Sequence, residues 1–182
     1  MAKSPQKEMK KTTNAELGRP SLEEFRQMKK MPVVVVLDNV RSAQNVGAFF
    51  RTGDAFAVEK IALCGITATP PSRDIHKSSL GAEFTVAWEH NSSTVDAVLQ
   101  LKAEGYTVLA IEQVEGAVML DKLEVEPTKK YALVFGNEVA GVDQKVVDAS
   151  DFSLEIPQYG TKHSLNVSVS VGVILWHFRA GL

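Results

Sequence analysis

The apolar run at residues 33–37, four valines followed by a leucine, is the feature that most constrains the fold. A strand that is apolar on both faces is typical of the middle of a parallel sheet, because crossover helices cover both sides there. Further strand-like segments lie at residues 61–64, 85–88, 107–111 and 131–135, and helical patterns lie at 43–55 and 95–104. Alternating strands and helices predict an α/β fold with a mostly parallel sheet flanked by helices.

Charge is unevenly distributed along the 182 residues. Residues 1–30 carry eight Lys or Arg against four Asp or Glu, and the remaining chain carries twelve against eighteen. We therefore predict a basic, partly disordered N-terminal arm at residues 1–30. A short helix is expected within it from about residue 21, where Ser21 and Glu24 can form a capping box. A basic arm before an acidic body fits either a nucleic-acid partner or a solvated tail.

Composition excludes several classes of protein. The single cysteine, Cys64, can build neither a disulfide framework nor a cysteine-based metal site. No segment has the length and apolarity of a membrane span, and the polar N-terminus lacks the apolar core of a signal peptide. We expect a cytoplasmic protein with one main domain, no membrane contact and no bound metal.

A first polar segment follows the run at 33–37. In it Asn45 is predicted to cap a helix, and Gly47, one turn before Arg51, is predicted to leave that helix face open to a ligand. Backbone N–H groups at a helix start attract anions, and Arg51 can add a bidentate phosphate contact. An ordinary capped helix with a surface arginine fits the same pattern.

A second polar segment, Gly136-Asn137-Glu138 with Gly141, follows the strand predicted at 131–135. A glycine at a strand end lets a ligand approach the backbone at the carboxyl edge of the sheet. The segment is not a P-loop, because Val142 follows Gly141 where that motif requires lysine. A solvated loop carboxylate is the alternative for Glu138.

A third segment places polar residues in an apolar stretch near the C-terminus. Ile156-Pro157-Gln158 opens a turn, and Ser164 and Asn166 lie at its far end. Buried polar groups need partners, and a ligand is one such partner. After Asn166, alternating valines at 167–173 predict a strand, whereas the apolar run at 173–178 fits a buried helix equally well.

A weaker candidate is the polar segment at 73–81, which is predicted to be a loop. His76 and Lys77 in this loop can touch a phosphate, although a plain surface loop fits as well.

The first three segments, in this order, resemble the three motifs of the SpoU (TrmH) family of RNA ribose methyltransferases in the SPOUT superfamily. The resemblance covers roughly residues 32–180. It is carried by Asn45 and Arg51 in the first motif, by Gly136, Asn137, Glu138 and Gly141 in the second, and by Ile156, Pro157, Ser164, Leu165 and Asn166 in the third. Each motif alone is weak, but the three in order are specific.

The resemblance implies a fold and a cofactor. It implies that residues 31–182 form a SPOUT domain with a C-terminal trefoil knot, a rare exception to the rule against knots, and a helical tail. It implies S-adenosylmethionine held by backbone groups of Gly136, Ile156 and Leu165, with Asn137, Pro157 and Gln158 beside them. Gln158 departs from the apolar residue, often Met, that is usual there, at a position on the adenine side of the cofactor.

The resemblance also implies the chemistry and the partners. It implies methylation of a ribose 2′-hydroxyl in RNA by a homodimer whose sites are each completed by the partner subunit. Arg51 would be the central catalytic residue, assisted by Asn45, Glu138, Ser164 and Asn166, and Arg41, Lys77 and Ser78 would contact RNA. The short basic arm suits a compact substrate, so tRNA is favoured over rRNA. The alternative is a non-catalytic RNA-binding or assembly protein that retains the knotted fold.

Overall fold

The computed structural model describes residues 10–13 and 15–182. The predicted disorder of the N-terminal arm therefore lies partly outside the described residues. Within the arm, the helix α1 spans Leu22–Gln27, and Ser21 caps it as predicted. The Ser21 side chain accepts a hydrogen bond from the Glu24 backbone, and the Glu24 carboxylate accepts one from the Ser21 backbone.

A single parallel sheet of seven strands organises the rest of the chain. The strands are β1 Met31–Asp38, β2 Val58–Cys64, β3 Trp88–Asn91, β4 Tyr106–Ile111, β5 Val118–Met119, β6 Lys130–Phe135 and β7 Phe152–Glu155. Their order across the sheet is β3-β2-β1-β6-β4-β7-β5. The predicted α/β architecture with a mostly parallel sheet is confirmed.

Helices cover both faces of the sheet. They are α1 already described, α2 Ala43–Phe56, α3 Arg73–Ser79, α4 Thr94–Ala103, α5 Gln144–Ala149 and α6 Val167–Gly181. Side chains of α2, α3 and α6 belong to one hydrophobic cluster, and those of α4 and α5 belong to another. Among the helices of the described residues, none combines the length and apolarity that crossing a bilayer requires.

The valines of β1 divide between these two clusters. Val33 and Val35 pack into the cluster with α2 and α6, whereas Val34 and Val36 pack into the cluster with α4. Side chains alternate between the faces of a strand, so a strand covered on both faces must be apolar at every position. This placement explains the uninterrupted apolar run.

Two predicted segments are wrong. The strand predicted at 85–88 begins only at Trp88, because Thr85 belongs to a turn in which its N–H and hydroxyl both donate to the Ala82 carbonyl oxygen. The loop predicted at 73–81 is mostly the helix α3, whose inward face is small and buries Ile75 and Ser79. A helix with so narrow an apolar face has little periodic signal.

The C-terminal tail is helical, as the resemblance implied. The strand-like alternation of valines is overridden because α6 buries Val171, Ile174, Leu175 and Phe178, which recur at helical spacing. Asn166 caps the helix through its side chain, which accepts a hydrogen bond from the Ser168 N–H at 2.8 Å. The trefoil knot stays a prediction.

Candidate cofactor and active site

A cavity of about 450 Å³ opens at the carboxyl ends of β4, β6 and β7. Its size falls within the range of small-molecule sites, and this edge of an α/β sheet is where such proteins bind ligands. The predicted site residues that line it are Gly136, Asn137, Glu138, Ile156, Gln158, Ser164, Leu165 and Asn166. The second and third polar segments therefore share one cavity.

The loop after β6 is held in a tight bend by Asn137. Its backbone exchanges two hydrogen bonds of 2.9 Å with Gly141. Its side-chain oxygen accepts from the N–H groups of Val139 and Ala140, and its side-chain nitrogen donates to the Asn39 carbonyl oxygen at 2.8 Å. The predicted cofactor residue Asn137 thus shapes the loop that borders the cavity.

Gly136 lies where the two ends of this loop cross. A Cβ atom at this position would lie 2.1 Å from the carbonyl carbon of Gly141 and 2.2 Å from the nitrogen of Val142. Backbone atoms cannot yield as a flexible side chain can, so only glycine fits here.

Glu112, at the end of β4, is a site residue that the sequence reasoning missed. Its carboxylate accepts hydrogen bonds from the N–H of Val142 at 2.8 Å and from the N–H of Gln113 at 2.9 Å. It lines the cavity and, through the hydrogen bond from Val142, holds the end of the loop after β6. Its position directly after the predicted strand at 107–111, at the carboxyl edge, was the available signal.

Glu138 connects this loop to the start of α2. Its carboxylate accepts hydrogen bonds from the backbone N–H groups of Arg41 and Ser42, at 2.9 and 3.0 Å, and from the Asn45 side chain at 2.9 Å. Burial raises the pKa of Glu138, but these hydrogen bonds outweigh it and hold the pKa below its ordinary value. The anion predicted at this helix start is therefore a carboxylate of the protein itself.

Two predictions for the first polar segment are wrong. The helix cap is Ser42, whose hydroxyl accepts from the Asn45 N–H at 3.3 Å, while Asn45 lies inside the helix. The face around Gly47 is not open, because α3 covers it. A Cβ atom on Gly47 would lie 2.0 Å from the Ser78 hydroxyl oxygen and 2.4 Å from the Ile75 carbonyl oxygen.

Asn166 and its neighbours form the rim of the cavity opposite the loop. Ser164 and Leu165 are exposed there. The Asn166 side-chain oxygen accepts from both the N–H and the hydroxyl of Ser168, at 2.8 and 2.6 Å. Asn166 therefore fixes the start of α6 at the cavity mouth.

Several predicted residues lie outside the cavity of this single chain. Arg51 is exposed on α2, and within the described residues its guanidinium has no hydrogen bond or ion pair. Lys77 pairs with Asp74 on the surface of α3 at 3.4 Å. Ser78 donates to carbonyl oxygens of its own helix, so its placement gives no support to an RNA contact. Pro157, Asn45 and Arg41 also do not line the cavity.

The comparison with protein families decides the affiliation. The model of the SpoU rRNA Methylase family matches residues 32–176, which is most of the chain. This chain belongs to the SpoU family. The match begins in β1 and ends in α6, so it includes all three polar segments and both walls of the cavity.

Two curated SpoU relatives are named for different RNAs. The 23S rRNA (guanosine(2553)-2′-O)-methyltransferase RlmP of Bacillus subtilis is 33% identical over 80% of this chain and 57% of its own length. The tRNA (guanosine(18)-2′-O)-methyltransferase of Thermus thermophilus is 33% identical over 92% of this chain and 87% of its own length. The chain thus spans little more than half of the first relative and most of the second.

A solved structure of this family shows the same fold and carries a cofactor. The AdoMet-bound rRNA methyltransferase of Sinorhizobium meliloti has a TM-score of 0.78 and 29% identity, covering 87% of this chain and 60% of that one. AdoMet is S-adenosylmethionine, the cofactor that the resemblance implied.

Proposed function

We propose that this protein is an S-adenosylmethionine-dependent RNA ribose 2′-O-methyltransferase. The observation that carries the proposal is the cavity in which the loop at Gly136 and the segment from Ile156 to Asn166 face each other. Members of the SpoU family are named for this reaction, and an AdoMet-bound relative shares the fold.

The charges around the cavity fit this cofactor. Three carboxylates, Glu112, Glu138 and Glu155, line it, and no Lys or Arg is present among its described lining residues. Such a site attracts a cation, and S-adenosylmethionine carries a positive sulfonium. Gly136, Ile156 and Leu165 would hold the cofactor, which supplies a methyl group already made electrophilic by that sulfonium.

Negative charge develops on the ribose oxygen as the methyl group is transferred. The three carboxylates give that oxygen no counterion within one chain. Arg51 on α2 is exposed and can supply a positive charge to the cavity of another subunit. We place Arg51 of one subunit at the cavity of the other, where it clamps a phosphate and stabilises the ribose oxyanion. A pKa above about 12 makes arginine a poor base, so Arg51 acts through charge and alignment.

A homodimer is supported by an apolar stripe beside the cavity. Val169, Val173 and Trp176 lie along the outer side of α6 and are 51%, 38% and 67% exposed, and Leu165, just before the helix, is 38% exposed. Contiguous apolar surface of this kind marks an interaction site. Because Leu165 also lines the cavity, a second subunit on this stripe lies next to the cofactor site.

We propose tRNA as the substrate and the cytoplasm as the location. The similarity to the tRNA enzyme of Thermus thermophilus runs through 92% of this chain and most of that enzyme. The basic arm adds electrostatic attraction to any RNA. Mass spectrometry of ribose methylation in tRNA and rRNA, from cells with and without this protein, tests the choice. Loss of a methyl group from rRNA alone would reverse it.

The activity itself is tested with Arg51→Ala. The variant should bind S-adenosylmethionine like the wild type in a calorimetric titration and lose methyl transfer to RNA by a factor of roughly 100 or more. Lys122→Ala, which removes one charge from an exposed turn after β5, is the control and should keep both properties. A wild-type protein that releases no heat with the cofactor would instead be the non-catalytic RNA-binding or assembly protein.

A further inference from the structure

A second cavity lies beside β3, the strand at one end of the sheet order, away from the cofactor site. It has a volume of about 610 Å³, and its walls include Pro70, Pro71, Arg73, Phe84 and Trp88. Trp88 begins β3, the outermost strand, and β3 is three strands away from β6. At about 4.8 Å between strands, that separation is roughly 14 Å across the sheet.

We propose that this second cavity binds an unstacked nucleobase of the substrate RNA together with its phosphate. The inference rests on the proposed function, because it takes RNA as the substrate, but it assigns RNA recognition to a site separate from the cofactor cavity.

The aromatic walls provide the stacking surface. Phe84 is 61% exposed and Trp88 is 37% exposed, although both rings are large and apolar. Two proline rings, Pro70 and Pro71, line the same cavity. Proteins that bind single-stranded RNA stack unpaired bases on aromatic rings of this kind, because every base presents a π-face.

Polar groups on the rim suit a phosphate or a base edge. Arg73 is exposed, and its guanidinium makes no ion pair within the described part of the chain. His76 is oriented by the carboxylate of Glu83, which is only 6% exposed and lies 2.6 Å from the His76 Nδ1 atom. Ser79 also donates to Glu83, so this acid is satisfied internally. Within the described residues the other ring nitrogen of His76 makes no hydrogen bond, so it can contact a ligand at the cavity rim.

Charge complementarity favours RNA over a peptide or a lipid. The Arg26 guanidinium donates to the Phe84 carbonyl oxygen at 3.3 Å, which attaches the basic arm to the rim of the cavity. The described residues of this arm, 10–13 and 15–30, hold six Lys or Arg against three acidic residues. A polyanion is therefore attracted to the surroundings of this cavity, while the aromatic walls select for bases.

The two tryptophans of the chain, Trp88 and Trp176, allow a direct test. In Trp176→Phe, the only remaining indole lies in the proposed site, and oligo(A) RNA should quench its fluorescence. In Trp88→Phe, the remaining indole lies on α6, and the same RNA should quench it much less than it quenches Trp88. Absence of quenching in Trp176→Phe would overturn the proposal.

Variants of the walls and rim separate stacking from charge. In the Trp176→Phe background, Phe84→Ala should weaken oligo(A) binding by roughly tenfold. Leu80→Ala removes an apolar side chain that is 68% exposed but does not line the cavity, and it should bind normally. Arg73→Ala should reduce the slope of log K against log salt by about 0.7, the contribution of one phosphate on a single strand.

Two comparisons complete the test. An acidic peptide that quenches Trp88 as strongly as oligo(A) would overturn the proposal in favour of a protein partner. Titration of Phe84→Ala with S-adenosylmethionine should give wild-type affinity, since the cofactor cavity is elsewhere. If the wild type bound oligo(A) at Trp88 but not the cofactor, the proposed methyltransferase function would fail while this RNA site stood.

Discussion

At the scale of single residues, Glu138 connects the loop after β6 to the start of α2. One carboxylate accepts hydrogen bonds from two backbone N–H groups of the chain entering α2 and from the side chain of Asn45. Charged acceptors form stronger hydrogen bonds than neutral ones. Glu138 thereby holds the loop after β6 against α2, the helix that carries Arg51.

Glu138→Gln should weaken the hydrogen bonds between this loop and the start of α2. The amide has one acceptor oxygen and turns an N–H₂ group toward donors, so we expect a loss of stability of roughly 1–2 kcal/mol, limited by solvent exposure. Thermal unfolding measures this loss, and calorimetry should show weaker binding of S-adenosylmethionine. Glu115→Gln changes an exposed carboxylate that makes no hydrogen bond within the described residues and should change neither quantity.

Glu138 also predicts a response to acid. Its pKa is held below the ordinary value of 4.5, so its stabilising contribution is present above about pH 4.5 and is lost as the pH falls through the folded-state pKa. Glu83 and Asp151 are shifted in the same direction. The free energy of unfolding should therefore fall below about pH 4.5, and less steeply in Glu138→Gln. The free energy of unfolding of both proteins is measured by urea titration at a series of pH values. If it fell equally steeply with pH in the wild type and in Glu138→Gln, this role would be contradicted.

At the scale of elements, the contact between α2 and α3 depends on Gly47. The helices approach so closely that a Cβ atom on Gly47 would overlap both the Ser78 side chain and the Ile75 backbone. Small residues permit such close packing, and a glycine inside a helix is otherwise unfavourable. The close approach explains why this helix tolerates a glycine where the sequence suggested an open face.

Gly47→Ala should destabilise the protein by about 1–3 kcal/mol, because the two helices must move apart. Gly160→Ala, in the loop before α6 where a Cβ would meet nothing within 4 Å, is the control and should be neutral or stabilising by up to about 1 kcal/mol. The double variant with Ser78→Ala should recover little, since the Ile75 carbonyl oxygen still blocks the site. Chemical denaturation measures all three, and full recovery in the double variant would locate the clash at the side chain alone.

At the scale of the whole molecule, the proposed dimer should depend on the apolar stripe of α6. Val169→Glu places a charge in that interface, where burial without a partner is costly. Light scattering should report a monomer, and methyl transfer should fall with it because Arg51 no longer reaches the cofactor cavity of the other subunit. Leu99→Glu on α4 alters a residue that is equally exposed, at 51%, on the other face of the sheet and should leave the dimer intact. A dimer that persists in Val169→Glu would refute the interface.

The sequence predicted elements well where one physical signal dominated. The valine run at 33–37 predicted a central strand correctly, because a strand covered on both faces must be apolar at every position. The polar segment at 73–81 and the strand at 85–88 were wrong, because short elements with one or two buried residues leave little periodicity. In the tail, local alternation competed with helical burial, and only packing against the sheet decided between them.

By itself, the sequence determined the α/β class and the parallel sheet, because strand and helix periodicity are local properties. The family resemblance added several residues that line the cavity, among them Gly136, Ile156 and Asn166. Only the tertiary structure decided that Glu138 occupies the helix start, that α3 covers Gly47 and that Glu112 supports the loop. Each of these contacts joins segments far apart in the chain, and no local pattern records which distant group will satisfy a buried donor or fill a given space.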